Sequence, residues 1–162
     1  MDNINETLLR KQAEKKREKE QRDEETLKVV SFKIGEEHFA FDIVMVREIN
    51  RMLDITRVPK AKNFVDGVIN LRGRVIPVLN MRKRIGLNHK DYDNDTKIIV
   101  IEKGKKTIGF IVDSVSEVLK IPKSTIEPPP SIMGEMDTEY ISGVGKLKER
   151  LIALIDLDKL IL

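Results

Sequence analysis

The sequence predicts an all-β fold, two small antiparallel barrels with a few short helices, behind a charged N-terminal extension. The first observation behind this is that the chain is written twice. Residues 35–49, GEEHFAFDIVMVREI, are echoed by residues 104–118, GKKTIGFIVDSVSEV, at an offset of 69, which sets Phe41 on Phe110, Val46 on Val115, Glu48 on Glu117 and Ile49 on Val118. A second echo at an offset of 76 sets Gly67 on Gly143, Val75–Ile76 on Leu151–Ile152, and residues 78–81 on 154–157. A duplicated unit of this kind implies two similar small domains with a seam between them. The second observation is that the apolar runs are short, closely spaced and of strand periodicity, so closure into barrels is needed to remove the open edges. The third is that no crossover helix long enough for an α/β sheet is present.

Residues 1–26 form the extension, and residues 27–162 form the duplicated body. The first 27 residues hold seven Lys/Arg and eight Asp/Glu, with no Gly or Pro. Spacings such as Glu6–Arg10, Lys16–Glu20, Glu18–Arg22 and Lys19–Asp23 favour a solvated helix with no face to bury. The segment reads either as a frayed helical or disordered extension or as a docking arm. In the body, residues 29–34 and 38–43 form a hairpin over the turn 35–37, and residues 97–101 and 107–112 repeat it over 103–105. Residues 44–49 read as a short helix or a bent strand. Pro59 and Pro122 mark breaks. Residues 74–79 and 150–155 are the strongest later strands, with Pro77 suggesting an edge position or a bulge. Short helices are expected at 82–85 and 156–160.

Composition narrows the function classes. The chain has no Cys, so no disulfide framework or Cys-based metal or redox site is available. No run approaches the roughly 20 apolar residues of a membrane span, and the N-terminus lacks the apolar core of a signal peptide, so a cytoplasmic location without direct membrane contact is expected. A net charge of +3, from 30 basic against 27 acidic residues, is too balanced for a nucleic-acid footprint. Basic turns at 82–84 and 103–106 could serve such binding, but the seven aromatics leave few stacking platforms.

Catalytic and metal chemistry find little support. His38 and His89 are far apart and lack a second ligand at metal spacing. Ser114, Ser116, Ser131 and Ser142 have neither a nucleophile-elbow context nor a nearby base. The run 143–146, GVGK, lacks the upstream glycine and following hydroxyl of a phosphate loop. Asp91, Asp93 and Asp95 begin like a calcium loop but lack its downstream Gly and Glu. No enzyme activity, metal or cofactor is expected.

One segment stands apart. Residues 64–79, FVDGVINLRGRVIPVL, place Arg72 among apolar residues between Gly67 and Gly73, whose conformational freedom suits a tight loop. An arginine displayed there either makes bidentate contacts to a partner or pairs within its own domain.

This segment, extended to GVINLRGRVIPVLNMRKRIG, resembles the signature of the CheW family of chemotaxis adaptors. The opening VVSFKIGEEHFAFDI, the middle KIIVIEKGKKTIGFIVDSVSEVLKI and the closing EYISGVGKLKERLIALIDLDKLI match that family in order, so the resemblance covers residues 27–162. The charged extension and Asn80–Met81, where Asp–Leu is more typical, depart from it. The resemblance implies two SH3-like five-stranded barrels on a shared core and no enzymatic activity. It also implies two partners, the cytoplasmic tip of methyl-accepting chemoreceptors and the regulatory domain of the histidine kinase CheA, and no nucleic acid. Carried over by position, the receptor groove would include Val46, Glu48, Gly67, Asn70, Leu71, Arg72 and Val118. Ile43, Val44 and Met45 are the candidates for kinase contact.

Overall fold

The computed structural model describes residues 2–129 and 138–161 of the chain; Ser131 lies outside them. A helix, α1 (Asp2–Glu24), precedes ten strands: β1 (Thr26–Ile34), β2 (Glu37–Asp42), β3 (Val46–Arg51), β4 (Val65–Leu71), β5 (Arg74–Asn80), β6 (Lys97–Lys103), β7 (Lys106–Val112), β8 (Ser114–Pro122), β9 (Ile141–Leu147) and β10 (Arg150–Ile155). One-turn helices α2 (Met81–Arg84) and α3 (Leu157–Leu160) follow β5 and β10.

The duplication is visible in detail. Asn80 and Asp156, repeat partners, cap α2 and α3 by accepting from the Lys83 and Lys159 amides, as short polar side chains do at helix N-termini. The amides of the same two residues donate at 2.8 Å to the carbonyls of Phe64 and Tyr140, another repeat pair. Isolated bridges join Thr56 to Val68 and Glu127 to Val144 at matching places. The segment 44–49, open between helix and strand, divides: a 3-10 turn at Ile43–Met45 capped by Asp42, then β3.

The sheets do not follow the repeat. One has the order β8-β1-β2-β10-β9 and the other β3-β6-β7-β5-β4. Each copy thus gives its first hairpin to the sheet built by the other copy's last three strands. This exchange makes the β2–β10 and β5–β7 pairs parallel within otherwise antiparallel sheets, a departure from the purely antiparallel expectation. Pro77 is also not on an edge strand, since β5 lies between β7 and β4. Its missing N–H is tolerated because the parallel ladder to β7 begins only at Val78, and a register shift falls on β4 between Val65 and Gly67.

Exchange puts the core on the seam. Phe32, Phe39 and Phe41 of one sheet and Ile99, Ile101 and Phe110 of the other are buried in a single cluster with α2 and α3 residues Met81, Leu157 and Leu160. Phe41 meets its own repeat partner Phe110, ring centroids 5.3 Å apart. Smaller clusters fill each sheet separately, Ile69, Val78 and Ile98 in one and Val29, Ile121 and Ile152 in the other. In the β1–β8 ladder, buried Ser31 sits at a register break, where its hydroxyl donates to the Glu117 carbonyl at 2.9 Å and accepts from the Glu117 amide.

Polar staples close the seam at its rim. Arg84 lies between the rings of Phe64 and Tyr140, 4.4 and 4.1 Å from their centroids, and its Nε donates to the Leu160 carbonyl at 2.8 Å. Asp113 accepts from the Gly35 amide at 2.7 Å and takes a two-pronged contact from Arg82, at 2.9 and 2.5 Å. Burial alone would push the Asp113 carboxyl up, but these hydrogen bonds and the guanidinium charge outweigh it and hold it below the usual carboxylate range. By contrast, α1 meets the solvated expectation: every described side chain from residue 5 to 17 is exposed, Leu8 and Leu9 included. The spacings that reach beyond residue 17 involve side chains outside the described set.

Because the folded Asp113 carboxyl titrates below its unfolded value, its stabilisation is complete above about pH 5 and is lost as pH falls through the folded value. We expect Asp113→Asn to cost about 2 kcal/mol at pH 7. Melting curves of both proteins from pH 7 to pH 2 should show the difference constant down to about pH 5 and shrinking below that. A difference that grew in acid would contradict the assignment.

Candidate functional site

Arg72 and Gly73 are the two loop residues between Leu71 and Arg74, which pair at the end of the β4–β5 ladder. Both have positive φ, 53° and 84°, the requirement of the tightest hairpin turns. Glycine adopts this without penalty, whereas the arginine pays about 1–2 kcal/mol for it. The turn is braced by Asn70, whose Oδ1 accepts from the Gly73 amide at 2.9 Å. From this turn the Arg72 guanidinium reaches β3, where Nη2 meets Glu48 Oε2 at 2.6 Å with the arginine side chain 76% exposed and the glutamate 18%. Such a pair contributes at most about 1 kcal/mol to stability. What it fixes is direction: Arg72 is held over β3 with donors to spare.

The structure therefore brings Glu48, Asn70, Leu71 and Arg72 together. Val46 lies two residues before Glu48, half-buried and packed against the seam core. Val118 is elsewhere, on β8, an edge strand of the other sheet, 51% exposed. Gly67 is not open to a partner. It is buried, with φ +151°, and a Cβ there would lie 2.1 Å from the Thr56 carbonyl oxygen. Glycine is needed at this point so that residues 55–56 can cross β4. For the kinase candidates, Val44 stands out at 79% exposure, while Ile43 and Met45 are half-buried and Met45 packs on the seam core. Beside them is a cavity of about 240 Å³ lined by Leu27, Met45, Leu154 and Leu157.

Three exposed apolar residues were not singled out from sequence. Ile49 is 42% exposed, Val75 69% and Leu151 62%. With Val118 they form two repeat pairs, Ile49 with Val118 and Val75 with Leu151. Apolar residues kept outward in both copies are the signal that could have found them.

The other motifs resolve as structure. Gly143 and Gly145 lie in β9, where a Cβ would come within 2.9 Å of Ile126 and Ile121. Asp93 folds its own loop, accepting from the Asp95 amide at 2.8 Å. Among the described residues no group of three or more His, Cys, Asp or Glu could hold a metal, and no helix is long and apolar enough to cross a membrane. His38 lies in β2 with Nδ1 buried and without a hydrogen-bond partner among the described residues; burial first, then the Arg150 and Lys33 charges, lowers its pKa.

Comparison with known proteins places the molecule. Its ten strands define a class, a double SH3-like β-barrel module whose two subdomains share one core. A family model described as the CheW-like domain matches residues 28–162, and the chain belongs to the CheW family. It is 38% identical over 133 residues to the chemotaxis protein CheW of Thermotoga maritima, covering 82% of this chain and 86% of that one. It is 36% identical over 130 residues to the chemotaxis protein CheW of Klebsiella aerogenes, covering 80% and 78%. The crystal structure of the scaffolding protein TtCheW from Thermoanaerobacter tengcongensis superimposes with a TM-score of 0.76 at 37% identity, covering 81% of this chain and 89% of that one.

Gly67→Val should destabilise the fold itself, by about 3 kcal/mol, through overpacking and loss of the positive φ. Thermal denaturation checks this. A melting temperature within a degree or two of the parent would mean that the crossing at Thr56 relaxes freely.

Proposed function

We propose that this protein is a non-enzymatic chemotaxis adaptor that links the cytoplasmic tips of methyl-accepting chemoreceptors to the regulatory domain of the kinase CheA. The observation that carries the reading is Arg72: a largely exposed arginine kept in a left-handed turn and aimed across β3 by Glu48. Strain of this kind persists where the surroundings enforce it, and it clusters at binding sites. A guanidinium so placed presents several donors to a carboxylate or carbonyl of a helical hairpin, with specificity from its planar fork.

On this reading Val46, Glu48, Asn70, Leu71, Arg72 and Val118 form the receptor surface, with Gly67 supporting it from beneath by letting residues 55–56 cross β4. The kinase surface is the 3-10 turn of Ile43, Val44 and Met45. There the exposed Val44 and the adjoining apolar cavity suit a hydrophobic contact. The adaptor's work is a coupling free energy between these two sites, transmitted through a body whose sheets share one core. All chemistry stays on the kinase. The protein would work in the cytoplasm, recruited to receptor arrays.

The test is isothermal titration against each partner, with a receptor-tip fragment and the CheA regulatory domain from the same organism. Arg72→Glu should weaken receptor binding at least about tenfold, a loss of about 1.4 kcal/mol, while moving the melting temperature little because the arginine end of its pair with Glu48 is 76% exposed. Unchanged receptor affinity with a lowered melting temperature would instead make Arg72 an internal brace. Val44→Glu should weaken kinase binding by a similar factor and leave receptor binding intact. Loss of both together would point to damage in the shared core.

A further inference from the structure

A cation-lined cavity lies at the opposite end of β4 from Arg72. A cavity of about 440 Å³ opens where the loop between β3 and β4 crosses the base of β4, and four cations line it: Arg57, Lys60, Lys62 and Lys83. The only carboxylate in its wall is Asp66, and that group is already engaged. Asp66 accepts from Lys83 at 3.2 Å, from the Tyr92 hydroxyl, and from Asn80 Nδ2 at 3.4 Å. It cannot neutralise the rest. Neither Arg57 nor Lys60 has a side-chain hydrogen bond or ion pair within the described residues.

The backbone that carries the loop cations is anchored at Thr56. Thr56 exchanges two hydrogen bonds of 2.9 Å with Val68, which pins the residues on either side of it, Ile55 and Arg57. Lys60 follows Pro59 and has φ 63°, a left-handed conformation that a lysine adopts only under constraint. Lys62 lies 5.8 Å from the Phe64 ring centroid. A backbone anchored before a ligand arrives reduces part of the ordering cost of binding. Among the charged and polar groups of the lining are two larger apolar side chains, Ile55, half-buried, and Val58, 44% exposed.

We infer that this cavity binds an acidic segment of a partner protein, one that sets two or more Asp or Glu carboxylates against Arg57, Lys60 and Lys62 and an apolar side chain against Ile55 and Val58. The mixed lining favours a peptide over a bare phosphate, which would leave Val58 and Ile55 uncovered. The site is independent of the adaptor reading. Asp66, near the start of β4, and Arg72, in the turn just after it, are six residues apart, a separation of about 20 Å.

The test uses the full-length protein, isotopically labelled, followed by amide shifts in NMR. The probes are a short synthetic peptide of alternating glutamate and leucine, a lysine–leucine peptide of the same length, and inorganic pyrophosphate. The acidic peptide should shift amides 55–63 and Tyr92, with an affinity that falls as salt rises. The double variant Arg57→Glu/Lys60→Glu should weaken that binding at least about tenfold while leaving receptor-tip binding within twofold. Shifts spread over the basic turns at 82–84 and 103–106, equal binding by the double variant, or preferential binding of pyrophosphate would each overturn the proposal.

Discussion

Everything in this molecule rests on the contact of Phe41 with Phe110. These residues occupy the same place in the two copies of the repeat, and they meet because each copy has lent its first hairpin to the other's sheet. A five-stranded sheet of this size has little core of its own. Exchange solves this by joining the inner faces of both sheets into one cluster that includes the helices after β5 and β10. Neither sheet can be completed, nor its largest apolar face buried, without the other copy. The two subdomains are therefore one structural unit.

Within that unit the interior is nearly symmetric and the surface is not. The capping residues Asn80 and Asp156 and the bonds from Asn80 to Phe64 and Asp156 to Tyr140 repeat faithfully. At the rim the chemistry diverges. On α2, Arg82 supplies the cation for Asp113, whereas its repeat partner Asp158 on α3 supplies the anion for Lys103. Arg84 is wedged between two aromatic rings, while its counterpart Leu160 is fully buried. Arg72 faces Glu48 at 2.6 Å. Its counterpart Lys148 has the same left-handed φ, but near it Glu117 meets Arg150 only at 3.8 Å. Duplicated packing gives a stable frame, and divergence at the rim lets the two ends take different partners.

Much of this was legible from the residues. The two offsets located both first hairpins, the turn before β5 and the two capped helices, because each depends on local patterning. Arg72 was visible as a cation between glycines in an apolar run. The exchange of hairpins was not, since strand partners are selected by which apolar faces can be buried together, and both copies present nearly the same face. Gly67 read as a groove residue because a glycine's freedom is evident in sequence while the reason for it, here the Thr56 carbonyl, lies eleven positions away. The cationic cavity was invisible for a similar reason: Arg57, Lys60, Lys62 and Lys83 come from a loop and a helix that only the fold brings together.

The hairpin exchange has a consequence for synthesis. The β1–β2 hairpin leaves the ribosome well before its partners β8 and β10, so both of its edges stay unpaired until those strands are made. Long-range pairing of this kind raises contact order and slows folding, and unpaired edges invite association between nascent chains. The highly charged helix that emerges just ahead of the hairpin, with seven basic and eight acidic residues among the first 27, is well composed to keep that waiting hairpin solvated.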